Sequence, residues 1–547
     1  MILVAAPGLA AVSPVRTLHA FPMAAGTSDL GRAPATMPMH VVLGLGQRNR
    51  GAVDAILVRQ ATPGDPLYRH SLSPLQARSL VAPSGARVEA VASFLAASGF
   101  KNVRATPDNL LVSGDGNVAI AGRAFATQIH VLARGSQRFL ANVSPAVVPA
   151  RLASVVASVE GLHTFAMHPT FVKKPSVQSC TELPVLDVCA LSEFGPKDFQ
   201  QVYDVSTSAS TTPIAIFAEG ELSGVVSDLR TQEAQSGLPT VPVTIVETGP
   251  QSGDTSGADE FDLDSQYSTG IATNVAQLYL YDAPSLDDAD LSTEFDRFVT
   301  DDLAKAGSAS FGGCETEAEL DGSNTTDDAI FEEAALQGQT VFASAGDTGT
   351  FCPAPVAENG VPLGLPGQDY PASSPYVVAA GGTTLLAAPS GAYGSEIGWY
   401  SGGGGPSLVE TAGPWQAAVA TAASLGQRAV PDVAMDADPD TGANVIVAGA
   451  SEEIGGTSLS SPLSLGVWAL LETAHGNTLT FASPILYKEF ADEGGTSLSV
   501  PTGLTRPIGG FHDILIGANP LPAAPGYDFS TGLGTFDVGA SISDILK

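Results

Sequence analysis

Short apolar segments alternate with helical segments over the first third of the chain. Residues 39–45 alternate like a strand. Residues 49–59 and 73–80 have a helical pattern, and the second begins with Ser-Pro, a common helix start. Residues 88–99 predict an amphipathic helix. The residues that share its apolar face are Val88, Val91, Phe94 and Leu95.

A glycine-rich segment, residues 113–117 (SGDGN), separates two further apolar runs, 110–112 and 118–120. Glycine and asparagine at such a position are typical of the turn of a β-hairpin, so we predict a hairpin here. Strands and helices in this order predict a small α+β sandwich that extends to about residue 165.

A different pattern begins at residue 195, where short apolar runs of strand length alternate with helical stretches. This alternation is typical of an α/β domain with a doubly wound, mostly parallel sheet. Functional sites in such sheets lie at the carboxyl ends of the strands. The predicted strands are residues 213–217, 241–247, 275–281, 340–345, 377–380 and 445–447.

The composition divides the chain into four segments. Residues 1–37 are rich in Ala, Pro and Gly and predict a disordered leader, and residues 38–167 form the small domain. Residues 168–194 contain Pro, two lysines in a row and two cysteines, and predict an exposed linker with a processing site. Residues 195–547 form the α/β domain.

The charge is divided unevenly along the chain, whose 547 residues are enough for two or more domains. Residues 1–176 carry 16 Lys and Arg against 7 Asp and Glu, whereas the remaining residues carry 8 against 50, for a net charge of −33. A basic block followed by an acidic block predicts that the two bind each other. The acidity argues against nucleic acid as a partner. An alternative explanation is solubility in acid or salt.

Four cysteines, an even number, allow two disulfides in three connectivities. We favour Cys180–Cys189 as a local loop and Cys314–Cys352 as a link between two loops of the α/β domain. Four buried free thiols are the alternative. No apolar run reaches the roughly 18 residues that span a membrane, so no membrane helix is predicted. Residues 1–14 are apolar but lack the basic start of a signal peptide.

Residues 455–462 (GGTSLSSP) predict a tight glycine turn that presents Ser458 at the start of an apolar helix, residues 463–471. A serine at such a junction has an exposed Oγ beside free backbone N–H groups, which can form an oxyanion site. The same G-T-S-x-x-x-P pattern surrounds the nucleophile of subtilisin-type proteases. A near copy, residues 494–501 (GGTSLSVP), is followed by Gly and Pro instead of a helix. Ser497 is therefore not the predicted nucleophile.

A carboxylate is the predicted base for Ser458. Only His475 and His512 lie outside the first third of the chain. His475 would lie about 25 Å from Ser458 along the helix, which is too far for an ordinary serine-protease base. Glu260 and Asp264 are four residues apart, so on a helix they share one face and can share a proton. Asp262 points elsewhere on that helix.

A further motif, residues 344–349 (SAGDTG), follows an apolar strand directly. With these motifs in this order, the sequence from His40 to the end resembles the sedolisin (serine-carboxyl peptidase) family, and in particular its kumamolisin-like precursors. The resemblance implies a subtilisin-like peptidase domain preceded by an activation propeptide. It makes Ser458 the nucleophile, Glu260 the general base and Asp264 the residue that orients Glu260. Asp347 would be a protonated oxyanion-hole donor.

The C-terminal segment resembles the calcium site of that family. Asp513 and Asp528 would supply side-chain oxygens, and Ile514, Ala524 and Gly526 would supply carbonyl oxygens. Ca²⁺ is a hard cation that prefers such oxygen ligands. The resemblance therefore implies one structural calcium ion.

The resemblance implies a secreted, acid-acting serine-carboxyl peptidase made as a zymogen. Its partners would be protein and peptide substrates and its own propeptide, which would act as an intramolecular inhibitor. We expect a monomer without nucleic-acid or membrane partners. Endopeptidase and tripeptidyl-peptidase activity both stay open. The alternative function is that of a catalytically inactive, calcium-stabilised homologue with a binding or structural role.

Overall fold

The computed structural model contains a small N-terminal domain, a linker segment and a larger α/β domain. The residues that the structure describes are 15–16, 20–21, 26–135, 137–173, 194–205, 209–352, 366–388, 390–420, 424–497 and 503–545.

The N-terminal domain is an α+β domain, as predicted, with two three-stranded antiparallel sheets ordered β2–β6–β7 and β3–β5–β4. The predicted apolar face of the third helix is buried in its core. Its strands are β1 (Val15–Arg16), β2 (Thr27–Arg32), β3 (Pro38–Gly44), β4 (Lys101–Ala105), β5 (Leu111–Asn117), β6 (Ile129–Arg134), β7 (Gln137–Asn142) and β8 (Val147–Val148). Its helices are α1 (Arg50–Gln60), α2 (Pro74–Val81), α3 (Gly85–Ser98) and α4 (Val118–Ala124).

The predicted hairpin at residues 113–117 is wrong. These residues belong to strand β5, which pairs with β3 along its whole length, and residues 118–124 form helix α4. Gly116 does not form a turn but allows close packing of Phe100 against the strand. A Cβ on Gly116 would lie 2.8 Å from the Phe100 ring. Asn117 caps α4 by accepting a hydrogen bond from the Ile120 N–H.

The prediction of a disordered leader over residues 1–37 is wrong for its C-terminal part. Residues 27–32 form strand β2, which pairs with β6, and Phe21 is buried against Phe139. The segment from Thr27 to Arg32 is mostly polar and exposed. Backbone hydrogen bonds to β6 at the edge of the sheet stabilise this segment. Because its side chains are not buried, the sequence shows no hydrophobic pattern from which the strand could be predicted.

The α/β domain contains an eight-stranded sheet ordered β12–β13–β11–β14–β16–β18–β19, with β22 also paired to β18. All its pairs are parallel except β18–β19, which confirms the predicted doubly wound, mostly parallel sheet. Five predicted strands lie in it, whereas residues 445–447 belong to a separate hairpin. The sheet strands are β11 (Pro213–Glu219), β12 (Val243–Glu247), β13 (Gln277–Ala283), β14 (Ala306–Ala309), β16 (Thr340–Ser344), β18 (Val378–Ala387), β19 (Tyr393–Gly398) and β22 (Val433–Asp436).

Smaller strand pairs and helices surround this sheet. The other strands are β9 (His168–Pro169) and β10 (Val172–Lys173) in the linker, then β15 (Phe311–Cys314), β17 (Asp369–Tyr370), β20 (Gly405–Thr411), β21 (Gln427–Val430), β23 (Ala443–Val447), β24 (Ala450–Gly455), β25 (Thr505–Ile508), β26 (Phe511–Ile514) and β27 (Thr535–Phe536). The helices are α5 (Pro196–Val202), α6 (Ser223–Ser236), α7 (Ala258–Ile271), α8 (Asp288–Asp301), α9 (Glu315–Asp321), α10 (Ser323–Leu336), α11 (Thr457–Ala474), α12 (Ala482–Asp492) and α13 (Val538–Asp544). Short 3₁₀ helices span Ala150–Leu152 and Pro414–Ala418.

Two neighbouring helices position the site. Helix α11 is buried along nearly its whole length, and it packs against α7 and against the sheet strands β14, β16, β18 and β22. Gly466 lets the helices approach closely, because a Cβ there would collide with the backbone of Ser268 on α7. The N-terminal ends of both helices therefore meet near the carboxyl ends of the sheet strands.

The basic and acidic blocks contact each other, as the charge distribution predicts. Arg50 pairs with Asp328 at 3.2 Å, and Arg134 pairs with Glu317 at 3.1 Å. The buried His163 Nε2 lies 2.8 Å from Asp321 and 3.1 Å from Asp288. In each contact the basic residue belongs to the N-terminal domain and the acidic residues to the α/β domain.

The structure contains the predicted Cys314–Cys352 disulfide. Cys180 and Cys189 lie outside the described residues. Among the helices of the described part of the chain, none is alone long and apolar enough to cross a membrane. Helices α2 and α3, bent by 77° at their junction, pass that test of length and composition only as a pair.

Candidate active site

Ser458 lies in the first turn of α11, directly after a glycine turn. Gly456 has φ 101°, a conformation that glycine adopts without a steric penalty. A Cβ on Gly456 would also collide with the carbonyl oxygen of Thr170, so a larger residue does not fit. The backbone N–H of Ser458, in the first turn, needs no partner within the helix and can bind a group in front of it, as the sequence pattern predicts.

Glu260 and Asp264 lie one turn apart on α7, and both side chains are fully buried. Ser310 Oγ donates a hydrogen bond of 2.6 Å to Asp264 Oδ1. The Glu260 carboxyl oxygens have no hydrogen-bond partner among the described residues. Ser458 Oγ, which lies near this pair, donates to the carbonyl oxygen of Ser310 at 3.2 Å.

Burial is the main cause that raises the pKa of Glu260 well above its ordinary value. The neighbouring Asp264 raises it further, and the nearby Ser458 hydroxyl lowers it in part. Burial also raises the pKa of Asp264, with a smaller opposing contribution from Ser310. Two buried carboxyls this close titrate as a pair, so at acid and neutral pH they hold at least one proton between them.

Asp347 lies in the loop that follows β16, beside the start of α11. Its Oδ1 accepts hydrogen bonds from the backbone N–H and the hydroxyl of Thr457, at 2.8 and 2.9 Å. Its Oδ2 is buried and has no partner among the described residues. Burial raises the pKa of Asp347 to about 7, although both Thr457 contacts lower it. Asp347 is therefore neutral in acid, with a proton free to donate.

The linker runs through the cleft in front of Ser458. On one side, Pro169 and His168 of β9 pair antiparallel with Phe311 and Gly312 of β15. On the other side, β10 pairs antiparallel with the end of β24. The chain thus adds a strand to each wall of the cleft, which is how an extended peptide binds to a protease.

Thr170 joins these two strands at Ser458 itself. The Ser458 backbone N–H donates to the Thr170 carbonyl oxygen at 3.3 Å. A Cβ added to Gly456 would contact both that oxygen and Asp347 Oδ2, so the two oxygens face the same point. The Thr170 hydroxyl donates to Ser344 Oγ at 2.6 Å and lies 3.0 Å from Ser458 Oγ. The carbonyl oxygen of the Thr170–Phe171 bond therefore lies beside the Ser458 N–H and Asp347, groups of the kind that form an oxyanion hole.

The structure separates the competing candidates from this cluster. His475 ends α11, and its ring lies 3.1 Å from Arg69 of the N-terminal domain, at the opposite end of the helix from Ser458. Ser497 lies exposed in the turn after α12. Asp262 lies beside Asp228, whose charge adds to the effect of burial and raises the Asp262 pKa to about 8.

The residues predicted to bind calcium surround one loop. The N–H of Gly526 donates to Asp513 Oδ2 at 3.0 Å, and the N–H of Ala524 donates to Asp528 Oδ2 at 2.8 Å. Ile514 is the last residue of β26. Both carboxyls are buried, and Arg506 Nε donates to Asp513 Oδ2 at 2.8 Å.

A different group of possible metal ligands lies at the domain interface. Among the described residues, the ligand atoms of His163, Asp288 and Asp321 lie within 4.8 Å of one another. The short distances from His163 Nε2 to both carboxylates are those of ion pairs. This group is separate from the predicted calcium site.

The sequence analysis did not identify four polar residues in and around the candidate cluster. The Ser310 hydroxyl donates to Asp264 and its carbonyl accepts from Ser458, Thr457 donates to Asp347, and Thr170 contacts both Ser458 and Ser344. Ser344 and Thr457 stand inside the two motifs already identified, beside Asp347 and Ser458. Thr170 lies in the predicted linker and carried no signal of its own.

Two family models match the chain. The model described as the pro-kumamolisin activation domain matches residues 25–165, and the subtilase family model matches residues 248–487. These ranges correspond to the N-terminal domain and to the part of the α/β domain that holds Glu260, Asp347 and Ser458.

Curated proteins resemble the chain over nearly its whole length. Xanthomonalisin from Xanthomonas sp. is 34% identical over 92% of this chain and 65% of its own, and sedolisin from Pseudomonas sp. is 33% identical over 93% and 87%. A solved structure of Pseudomonas sedolisin, a serine-carboxyl proteinase, matches 65% of this chain and 98% of its own with a TM-score of 0.58 and 32% identity. The chain therefore belongs to the sedolisin family, as a precursor in which an activation domain precedes a subtilisin-like peptidase domain.

Proposed function

We propose that the protein is the zymogen of an acid-acting serine-carboxyl peptidase. Ser458 is the nucleophile, Glu260 with Asp264 is the base, and Asp347 is the protonated donor of the oxyanion hole. The observation that carries the proposal is the Thr170 carbonyl, which the Ser458 N–H binds at 3.3 Å in front of the buried carboxyl pair. The N-terminal domain acts as an intramolecular inhibitor, because its linker fills the cleft.

The geometry supports acyl transfer in two steps. Ser458 Oγ turns from Ser310 towards Glu260, gives its proton to the Glu260–Asp264 pair and attacks the substrate carbonyl carbon. The Ser458 N–H and the protonated Asp347 stabilise the oxyanion. When the C–N bond breaks, the leaving amine takes the proton from Glu260. Water then hydrolyses the acyl-enzyme, with Glu260 again accepting and returning a proton.

We propose that the first bond cleaved is Thr170–Phe171, in the enzyme's own linker. Its carbonyl already lies at Ser458, so the cleavage is intramolecular. In the zymogen the reaction is delayed, because Ser458 Oγ donates to the Ser310 carbonyl oxygen and contacts the Thr170 hydroxyl. Acid keeps Asp347 protonated and so favours the step.

Incubation of the purified precursor at about pH 4 is expected to give a new N-terminus at Phe171, at a rate independent of protein concentration. Intact mass and N-terminal sequencing measure it, and a denatured protein substrate measures the activity released. Ser458→Ala is the matched control and should stay a single chain. Equal processing of both proteins would refute the nucleophile. A first cut at another bond would refute only the assignment to Thr170–Phe171.

The course of the linker favours an endopeptidase. The bound segment continues without a break on the N-terminal side of Thr170, through Pro169 and His168 to Met167 and the N-terminal domain. A tripeptidyl-peptidase must stop the substrate three residues before the scissile bond. In this zymogen the cleft accepts a longer chain on that side.

We propose that one structural Ca²⁺ binds at Asp513 and Asp528, with carbonyl oxygens from Ile514, Ala524 and Gly526. The donor set fits, because two buried carboxylates and a tightly turned loop offer hard oxygen ligands. Burial raises the pKa of Asp528 to about 7, and the charge of Asp513 adds to the rise, so a nearby cation would stabilise both. Arg506 already neutralises part of the Asp513 charge.

Removal of calcium by EGTA is expected to lower the melting temperature of the precursor by about 5 °C, since a ligand at about 100 times its Kd adds roughly 2.7 kcal/mol of stability. Differential scanning calorimetry measures the shift, and added Ca²⁺ should restore it. Asp528→Asn should melt at one temperature with or without EGTA. An identical response of both proteins would place the ion elsewhere.

We propose further that the enzyme is secreted and monomeric. The Cys314–Cys352 disulfide supports secretion, because disulfides persist in oxidising compartments outside the cytosol. The strong negative charge of the peptidase domain keeps copies apart in neutral solution.

A further inference from the structure

Lys173, three residues after the bond held at Ser458, binds two carboxylates on the C-terminal side of the cleft. Its Nζ lies 2.6 Å from Asp259 Oδ2 and 2.5 Å from Glu452 Oε2. Asp259 precedes Glu260 on α7, and Glu452 lies on β24. Asp259 thus lies on the helix that carries the Glu260–Asp264 pair, and Glu452 lies on the strand that forms one wall of the cleft.

The backbone of the linker fixes where this lysine lies. Val172 pairs with Gly455 and Lys173 with Ile454, in the strand that leads directly into the Ser458 turn. Any peptide that binds in this register places its third residue after the scissile bond at the same point. The backbone pairing with β24 therefore determines where the Lys173 side chain lies, and the ion pairs alone do not.

The three side chains keep partial access to solvent, between 29% and 39% exposed. A substrate side chain can therefore enter and leave this place after the linker is released. Two carboxylates facing one position suit a single cationic head group better than a neutral or acidic one.

We propose that Asp259 and Glu452 form a substrate subsite that selects Lys or Arg at the third position after the scissile bond. In the zymogen the enzyme's own Lys173 occupies it. In the mature peptidase it takes the basic side chain of protein substrates. This inference rests on the proposed function, because it takes Thr170–Phe171 as the bond presented to Ser458.

The test uses the mature enzyme and internally quenched peptides based on residues 167–173, which differ only at the position of Lys173. That position carries Lys, Arg, Gln or Glu. We expect kcat/KM for the Lys and Arg peptides to exceed that for the Gln peptide by about 1.5- to 5-fold, the range for exposed ion pairs. The Glu peptide should be the poorest substrate.

Glu452→Gln is expected to lower the Lys to Gln ratio, because Asp259 alone then faces the position, and Glu452→Lys should make the Glu peptide better than the Lys peptide. Glu453→Gln is the matched control, because neighbouring side chains on a strand point to opposite faces. It should keep the preference of the wild type.

The possible failures are distinguishable. Equal cleavage of the Lys, Gln and Glu peptides by the wild type would overturn the subsite and leave the peptidase assignment intact. Loss of preference in Glu453→Gln as much as in Glu452→Gln would also overturn it, because a general charge effect would then explain the selectivity. Cleavage of no peptide and of no protein would overturn the proposed function together with the subsite.

Discussion

Replacing Glu260 with glutamine is expected to slow self-cleavage of the precursor by about 10²- to 10⁴-fold, the contribution of a well-placed general base. Glutamine has nearly the same shape but cannot accept the Ser458 proton. His475 cannot take over as base, since its ring lies at the far end of α11. Asp264 is bound by Ser310 and lies one turn further along α7.

Intact mass measured over time at about pH 4 gives the rate of self-cleavage without the need for a mature form of the variant. Asp262→Asn is the matched control, because Asp262 is a buried carboxyl on the same helix and faces Asp228. Its rate should stay within about threefold of the wild type. Normal processing by Glu260→Gln, or an equal loss in both variants, would contradict the role of Glu260 as base. Circular dichroism checks that both variants are folded.

Much of the fold could be predicted because its elements have strong patterns. Central strands of the sheet such as β11 and β16 are apolar runs buried on both faces, and five of the eight strands were located from apolar runs. Strand β14 was missed because its four residues, AGSA, are small rather than branched. In residues 113–117 the glycines led to the wrong prediction of a turn. Gly114 and Gly116 instead lie within strand β5, where they leave space for the side chain of Phe100.

The proposed catalytic residues were selected from the sequence because each lies in a local motif. Helical spacing brings Glu260 to Asp264, and a glycine turn presents Ser458. The arrangement around them could not be predicted, because it depends on contacts between distant segments. Thr170 reaches Ser458 across 288 residues of sequence and Ser344 across 174. Only the folded chain brings the linker into the cleft and places Lys173 between Asp259 and Glu452.

The contacts at the domain interface could also be predicted only in part from the sequence. The charge distribution predicted that the two blocks bind, and Arg50 and Arg134 confirm it. It did not predict that acidic groups also meet there. Burial raises the pKa of Glu160, in the N-terminal domain, to about 8, opposed in part by hydrogen bonds that include Thr326 of the α/β domain. A count of charged residues along the sequence cannot show which interface carboxyls are protonated and which form ion pairs.

Replacing Asp347 with alanine is expected to lower kcat by about 10²- to 10³-fold at acid pH, the usual loss of one oxyanion-hole donor. Asp347 can donate only when it is protonated. Because its pKa is raised to about 7, it is almost fully protonated at pH 5 and only about one-tenth protonated at pH 8. Activity of the wild type should therefore fall as the pH rises through about 7.

Asp347→Asn separates the donor role from a structural one. The asparagine amide donates at every pH, so this variant should keep most of its activity in acid and lose the decline near pH 7 that Asp347 causes. The measurement is kcat against pH from 3 to 9 for mature wild type and both variants, with one quenched peptide. Removing the Asp347 contribution leaves the Glu260–Asp264 pair to control the remaining pH dependence, because Ser458 still needs its base. A decline near pH 7 that is unchanged in Asp347→Asn would show that another group causes it, and full activity of Asp347→Ala would exclude Asp347 from the oxyanion hole.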